Sequence, residues 1–313
     1  MFAYTCRRIV ATIPVMLFVA LFVFSLLYVA PGDPAAIIAG DQASPEDVER
    51  IRASLGLDRP FVVRFGTWLM DVLSGDLGKS IFTNLPVTHM ISQRVQPTLS
   101  LMVLTLCLAL SIAIPFGVIA AWKQGSLIDR AVMVMAVLGF SVPVFVVGYL
   151  LAYIFALWLD LLPVQGYTPI EQGFWPWLRN LILPAIALGG VYIALIARIT
   201  RATMLEVLSQ DYIRTAKAKG VGQRAILFLH ALKNAAVPIV TIVGIGFAAL
   251  IGGAVVTESV FAIPGLGRLT VDAILRRDYP VIQGVVLLFS FVYVAVNLLV
   301  DLLYTLFDPR IRY

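Results

Sequence analysis

Charged residues are scarce in this sequence. Asp, Glu, Lys and Arg make up only 13% of the 313 residues, whereas soluble globular chains contain about 25%. Hydrophobic residues make up 60%, and the mean hydropathy is +0.95. This composition excludes an ordinary soluble enzyme, a disordered tail and a nucleic-acid-binding domain. The apolar stretches are long and do not alternate with polar residues, so they predict an all-α polytopic membrane protein and not a β-barrel.

Cysteine and histidine are also rare. Cys6 and Cys107 are too few and too far apart in the chain for a disulfide framework or a metal site. The two histidines, His89 and His230, lie outside the long apolar runs. An intramembrane enzyme would need a nucleophile with its base, or metal ligands, inside those runs. We therefore predict no catalytic residue, no bound cofactor and no metal site in this chain.

Six runs without any charged residue are long enough to cross a bilayer core of about 30 Å. They cover 9–30, 98–121, 131–159, 180–197, 234–257 and 279–300. The third run is long enough to be tilted, and Pro143 permits a kink in it. One function open to a chain with six spans is that of an ion-coupled secondary transporter. The lack of Asp, Glu, Lys, Arg and His in all six runs argues against it, because such carriers usually need a charged group within the membrane.

The distribution of basic residues predicts the orientation of the chain. The segments on the side of the N-terminus carry 13 Lys and Arg, whereas the two short loops on the opposite side carry 4. The positive-inside rule therefore predicts that both termini are cytoplasmic. The segment 31–97 is then external, and it is too long to follow that rule well.

The external segment 31–97 has the pattern of a folded region. Ser44 and Pro45 can begin one helix, which Gly56 can end. A second helix can start at Pro60 and end at Gly75. Its apolar stripe consists of Phe61, Phe65, Trp68, Leu69 and Val72. Two interpretations stay open: these helices lie along the membrane surface, or they cap the helix bundle.

The cytoplasmic segment 198–233 is too polar to enter the membrane, yet its pattern predicts a short helix. Asp211 can cap a helix from Tyr212 to Lys219, and Gly220 suits the left-handed residue that follows. A helix of this length needs support, since isolated helices below about 12–15 residues are marginal in water. Two interpretations are open on physical grounds: a docking surface for a partner protein, or a basic loop on anionic lipid.

The string 211–220, Asp-Tyr-Ile-Arg-Thr-Ala-Lys-Ala-Lys-Gly, resembles the coupling segment of bacterial ABC-importer permeases of the dipeptide/oligopeptide/nickel branch. The general permease pattern there is Glu-Ala-Ala, three residues, then Gly. Here Arg214 stands at the glutamate position and Thr215 at the first alanine. Further strings similar to that branch occur in order along the whole chain, at 31–34, 55–58, 75–78, 230–234, 264–269, 277–280 and 308–313.

The resemblance implies one permease domain over 1–313, with the six-helix bundle of a type I ABC importer in the bacterial inner membrane. ATP and Mg would be bound by two separate cytoplasmic ATPase subunits, so the chain itself would not be an enzyme. A second, different permease and an extracytoplasmic substrate-binding protein would complete the importer. The cargo would be a di- or oligopeptide, or a related small peptide or nickel chelate. The residues implied to dock on an ATPase are Asp211, Tyr212, Arg214, Thr215, Ala216, Lys217, Ala218, Lys219 and Gly220.

Overall fold

The computed structural model describes residues 2–29, 35–36, 44–54 and 57–307. The strings 31–34 and 308–313 lie outside these residues, as do positions 55 and 56 with the predicted helix end at Gly56. In chain order the helices are α1 (Phe2–Val29), α2 (Pro45–Ser54), α3 (Phe61–Leu73), α4 (Val87–Trp122), α5 (Leu127–Ser141), α6 (Val144–Trp158), α7 (Phe174–Leu208), α8 (Asp211–Ala218), α9 (Gln223–Val260), α10 (Leu266–Arg276) and α11 (Tyr279–Phe307).

The predicted all-α polytopic fold is confirmed. Among the described residues, α1, α4, α7, α9 and α11 are long and apolar enough to cross a membrane. Helices α5 and α6 form a further candidate span that is bent by 100°. The bend lies at Val142 and Pro143, which both have extended backbone, so the helix breaks where the kink was predicted.

Several helices extend well beyond the charge-free runs. Helix α4 begins at Val87, although the run begins at 98, and α7 covers Phe174–Leu208 around the run 180–197. A charge-free run ends at the first charged side chain, whereas the backbone hydrogen bonds of a helix continue past the hydrocarbon. As a consequence, charged residues such as Asp129 and Arg201 lie inside helices.

The chain forms two compact units. One contains Gln96–Arg268 and the residues from Ala295 onward, and the other contains Phe2–Val95 and Leu269–Val294. In the first unit α7 is central and packs against α5, α6 and α9. Glycines allow this close approach: a β-carbon on Gly117 would lie 2.6 Å from the β-carbon of Thr200, and one on Gly139 would lie 3.0 Å from the Gly190 carbonyl oxygen.

In the second unit, helix α3 packs on α1 through the predicted apolar stripe. The Phe24 ring of α1 lies 5.4 Å from Phe61, 5.5 Å from Phe65 and 5.2 Å from Trp68, measured between ring centroids. Helix α3 begins one residue after Pro60 and ends just before Ser74. Gly75 follows with φ +87°, so the predicted end of this helix is confirmed.

Candidate functional site

The segment predicted to couple the bundle to a partner forms helix α8, which covers 211–218 and not 212–219. Asp211 is its first helical residue and not its N-cap, so the predicted cap was wrong by one position. Gln210 takes the N-cap position with φ −71° and ψ 149°. Its carbonyl accepts hydrogen bonds from the N–H groups of Ile213 and Arg214, at 3.1 and 3.3 Å. The Asp211 carboxylate lies in the first turn, where a negative charge is favourable.

The other end of α8 closes as the sequence predicted. Gly220 has φ +77°, in the left-handed region. The N–H of Val221 donates to the Ala216 carbonyl at 3.1 Å, and the N–H of Gly220 donates to the Lys217 carbonyl at 3.0 Å. These two bonds form a Schellman motif, and glycine is the residue that adopts this φ without strain. The chain therefore turns sharply from α8 toward α9.

Ile213 anchors α8 to the bundle. Its side chain is completely buried in an apolar cluster that includes residues from three long helices. From α4, α7 and α9 these are Val118, Ala121, Met204, Ile226, Leu227, Ala231, Ala235 and Ile239. Ile213 therefore packs α8 against all three long helices at once.

The remaining predicted docking residues lie on the outer surface of α8 and its C-terminal turn. Ala216 is half-buried, and the others are exposed: Asp211, Tyr212, Arg214, Thr215, Lys217, Ala218, Lys219 and Gly220. Apart from Ile213, α8 therefore offers nearly its whole surface to another molecule.

Tyr212 connects α8 to the first turns of α9. Its hydroxyl lies near the Asn234 side chain, whose amide donates to the His230 carbonyl at 2.6 Å. Burial raises the pKa of Tyr212 above its usual value, although the nearby Asn234 side chain acts in the opposite direction. His230 belongs to the π-helical segment Ile226–Ala231, a geometry that is frequent at functional sites.

An ion pair between the buried Asp129 and the half-buried Arg201 lies in the same unit. The Asp129 carboxylate accepts from Arg201 Nε at 2.5 Å and from the second guanidinium nitrogen, Nη2, at 2.7 Å. It also accepts from the N–H of Gly125 at 2.9 Å, and Asp129 is only 3% exposed. This bidentate pair fixes the start of α5 to α7, the helix that leads directly into α8.

At the C-terminal end of α9 a loop folds around the fully buried carboxylate of Glu258. The Thr98 hydroxyl donates to this carboxylate at 2.6 Å, and the N–H of Arg268 donates at 3.0 Å. The Thr98 hydroxyl in turn accepts from the N–H of Leu266 at 2.8 Å. The backbone of the string 264–268, Pro-Gly-Leu-Gly-Arg, therefore supplies one donor to the buried Glu258 carboxylate and one to the Thr98 hydroxyl that is bonded to it.

The glycines of this loop are required for its close approach to α9. A β-carbon on Gly265 would overlap the Glu258 carboxylate, and one on Gly267 would lie 2.5 Å from the Val255 Cα. Both contacts would be closer than those that real β-carbons make. Any larger residue would push the loop away from the carboxylate it holds.

The second unit contains a similar polar anchor. The Ser80 hydroxyl donates to the Asp278 carboxylate at 2.5 Å, and the N–H of Ile81 donates to it at 3.2 Å. Ser80 and Asp278 are both buried. The contact joins the residues after the string 75–78 to the string 277–280. Two of the strings that resemble the permease family thus lie next to each other in the fold.

These clusters hold neighbouring helices and loops together, and the outer surface of α8 is left exposed. Within the described ranges, no three His, Cys, Asp or Glu side chains lie close enough together to hold a metal ion. The carboxylates of Asp129, Glu258 and Asp278 are bonded to neighbouring hydroxyl, guanidinium or backbone groups.

Sequence reasoning does not identify Ile213, the Asp129–Arg201 pair or the role of Glu258. A local signal exists for Asp129, because Ser126 and Asp129 have the spacing of a capping box, and the Asp129 N–H donates to the Ser126 hydroxyl at 3.3 Å. Glu258 and its partner Thr98 are 160 residues apart, so no local pattern reveals their contact.

Two family models match the chain. The model described as "Binding-protein-dependent transport system inner membrane component" matches residues 113–313. The model described as "Binding-prot-dependent transport system membrane comp, N-term" matches residues 1–102. Together they cover nearly the whole chain.

Relatives of the chain are similar over their full length. It is 57% identical to the probable peptide ABC transporter permease protein y4tP of Sinorhizobium fredii, over 99% of both chains. It is 43% identical to the glutathione transport system permease protein GsiC of Pectobacterium atrosepticum, over 100% of both.

Among solved structures, the fold is similar to that of an inward-facing MetNI methionine ABC transporter chain. The TM-score is 0.59 at 18% identity, over 70% of this chain and 96% of that chain. The matches agree with the multi-pass helical fold. The chain therefore belongs to the family of inner membrane components of binding-protein-dependent transport systems, as a permease subunit and not an enzyme.

Proposed function

We propose that the chain is the membrane-spanning subunit of an ATP-driven peptide importer and that α8 transmits the closure of an ATPase to the bundle. The observation that carries this proposal is the burial of one residue of α8, Ile213, while its other side chains face outward. A short helix held in this way is exposed enough to bind a partner. It is also packed firmly enough to move with the bundle.

The relay follows from the packing around Ile213. Closure of an ATPase that grips α8 displaces the cluster shared by α4, α7 and α9, and rigid helices then rock between two arrangements. Moving a two-state equilibrium from 1:99 to 99:1 takes about 5.5 kcal/mol of differential interaction. Binding of ATP and Mg by two separate ATPase subunits is the proposed source of that energy.

The remaining partners follow from the same assignment. We infer that both termini are cytoplasmic, because the basic residues concentrate on that side. A second, different permease completes the pathway, and an extracytoplasmic binding protein delivers the cargo. The relatives named for peptide and glutathione transport support a di- or oligopeptide or a related small peptide as cargo, with a nickel chelate as a further family cargo. The charge-free runs leave selection of the cargo to the binding protein.

The test of the coupling role uses two glycines that lie two residues apart. Gly220→Glu places a side chain at φ +77°, where it disrupts the end of α8. Gly222→Glu adds the same charge at φ −62° and ψ 146°, a conformation open to any residue. No neighbouring atom lies within 4 Å of a β-carbon at either position.

We expect Gly220→Glu to abolish substrate-stimulated ATP hydrolysis by the assembled transporter, while membrane insertion stays intact. Gly222→Glu keeps most of the stimulation. Equal stimulation in the wild type and Gly220→Glu would remove the assignment of α8 as the coupling helix.

A further inference from the structure

A cavity of about 690 Å³ lies in the unit formed by Phe2–Val95 and Leu269–Val294. It opens between the end of α1, the side of α3, the loop that follows α3 and the start of α11. Its apolar wall includes Phe24, Leu27 and Trp68, and its polar wall includes Arg59, Arg64 and Lys79. The coupling site has no part in this cavity.

The position of the cavity along the helices places it at the bilayer surface. Phe24 and Leu27 are at the C-terminal end of the apolar window of α1, and the α11 residues that line the cavity, Tyr279, Pro280 and Gln283, are in its first two turns. Both helices are candidate membrane spans. In the orientation proposed above, this end faces the external leaflet.

Helix α3 has the pattern of a helix embedded in that surface. One face packs on α1, and a second face directs Arg64, Thr67 and Asp71 to the cavity. A third stripe, in which Val62 is 77%, Met70 69% and Leu73 74% exposed, has large apolar side chains on the outside. Apolar stripes beside charged ones are typical of helices that lie in the headgroup region.

The charges of the cavity favour an anion. Arg59, Arg64 and Lys79 face two carboxylates, Asp71 and Asp76, so cations are in excess. The Asp76 carboxylate also accepts the N–H of Gly78 at 2.8 Å. Within the part of the chain that the structure describes, Arg59 and Lys79 form no ion pair.

We propose that this cavity binds an anionic phospholipid of the adjacent leaflet. The headgroup phosphate lies at Arg59, Arg64 and Lys79, and an acyl chain runs along Leu27 and Trp68, the partly exposed apolar residues of the wall. An apolar wall that continues from a membrane span, next to a basic rim at the bilayer surface, fits the two halves of such a lipid. The assignment of its leaflet rests on the proposed orientation.

The test is photolabelling of the assembled transporter in detergent, with a phosphatidylglycerol that carries a photoreactive group in its acyl chain. Peptide mapping is expected to locate the label on residues 24–27 of α1 and on α3. The double substitution Arg59→Gln with Lys79→Gln should lower the labelling about tenfold, because each basic residue near a membrane contributes to anionic lipid binding. The matched control is Arg276→Gln, which removes an exposed charge outside the cavity and should leave labelling unchanged.

A second variant tests the apolar half independently. Leu27→Trp enlarges a side chain in the apolar wall of the cavity and should also reduce the labelling. This variant still tests the lipid site if the double variant does not assemble. Labelling that neither variant changes would overturn the proposal. Protection by inorganic phosphate alone would indicate a phosphate site, and protection by a dipeptide would indicate a cargo site, and either result would overturn it. Normal labelling of Gly220→Glu is expected, because lipid binding does not depend on α8.

Discussion

The two ends of α9 are held in opposite ways. At its N-terminal end, α8 is fixed to the bundle by one apolar side chain, Ile213, and its outer surface is exposed. At its C-terminal end, the loop 264–268 is fixed by a buried carboxylate, Glu258, whose donors come from a hydroxyl and the backbone. Apolar contact is non-directional, whereas hydrogen bonds to a buried acid hold one geometry. Under the proposed coupling role, the first end transmits movement into the bundle and the second end holds its loop in place.

The largest change in the free energy of unfolding should come from removing the buried carboxylate of Glu258. Glu258→Ala leaves the Thr98 hydroxyl and the Arg268 N–H without their acceptor in a dry site, so we expect a loss of about 3 kcal/mol in the free energy of unfolding. Denaturant titration in detergent measures it. Glu206→Ala removes an exposed acid and is the control, with little change expected. A similar loss in both variants would show that the Glu258 loop is not specially rigid.

The second largest change in the free energy of unfolding should come from adding a β-carbon to a glycine of the same loop. A β-carbon in Gly267→Ala would lie 2.5 Å from the Val255 Cα, and we expect a loss of about 2 kcal/mol in the same titration. In Gly252→Ala no neighbouring atom lies within 4 Å, so helix propensity should make this control neutral or more stable by up to about 1 kcal/mol. If Gly267→Ala and Gly252→Ala change the free energy of unfolding equally, the loop can shift, and the two ends of α9 do not differ in rigidity.

An effect of similar size, but confined to α8, is expected where this helix attaches to the bundle. Ile213→Ala removes apolar contact from the cluster under α8 and should weaken its attachment by about 2 kcal/mol. Hydrogen exchange should therefore become faster in α8 while the exchange of α7 and α9 stays unchanged, and substrate-stimulated ATP hydrolysis should fall. Faster exchange spread over all three helices would mean that Ile213 supports the whole fold and is no local anchor.

The smallest effect on stability, with a clear effect on function, is expected on the exposed face of α8. Thr215→Arg should change the free energy of unfolding by less than about 0.5 kcal/mol, as surface substitutions usually do. It should nevertheless reduce ATPase binding in pull-down assays, because a large cation replaces a small docking residue. Gln223→Arg adds the same charge at an exposed position outside α8 and should keep normal binding, so equal binding by both variants would argue against docking at Thr215.

The sequence predicts much of the fold because its strongest signals are local. Long apolar runs locate the spans, Pro143 locates the break in the third, and Gly220 marks the left-handed end of α8. The N-cap of α8 is Gln210, one residue before the predicted Asp211, because the backbone of Gln210 is extended. The residue type of Gln210 does not predict this conformation.

The parts that the sequence does not reveal depend on contacts between distant residues. The string 264–268 is recognisable as a string, but Glu258 and Thr98 beneath it are 160 residues apart. Asp129 and Arg201 lie just outside the charge-free runs, and they form an ion pair only when α5 packs on α7. Ile213 is one apolar residue in a polar helix, and its importance follows from the cluster around it.

Membership in an ATP-driven importer is tested by affinity purification of the tagged chain from mild detergent, followed by mass spectrometry of the proteins that accompany it. We expect ATPase subunits and a second permease to co-purify with the wild type, and we expect Thr215→Arg to lose the ATPases while it retains the second permease. A chain that purifies alone and still transports its substrate into ATP-free liposomes would contradict the account and support an ion-coupled carrier.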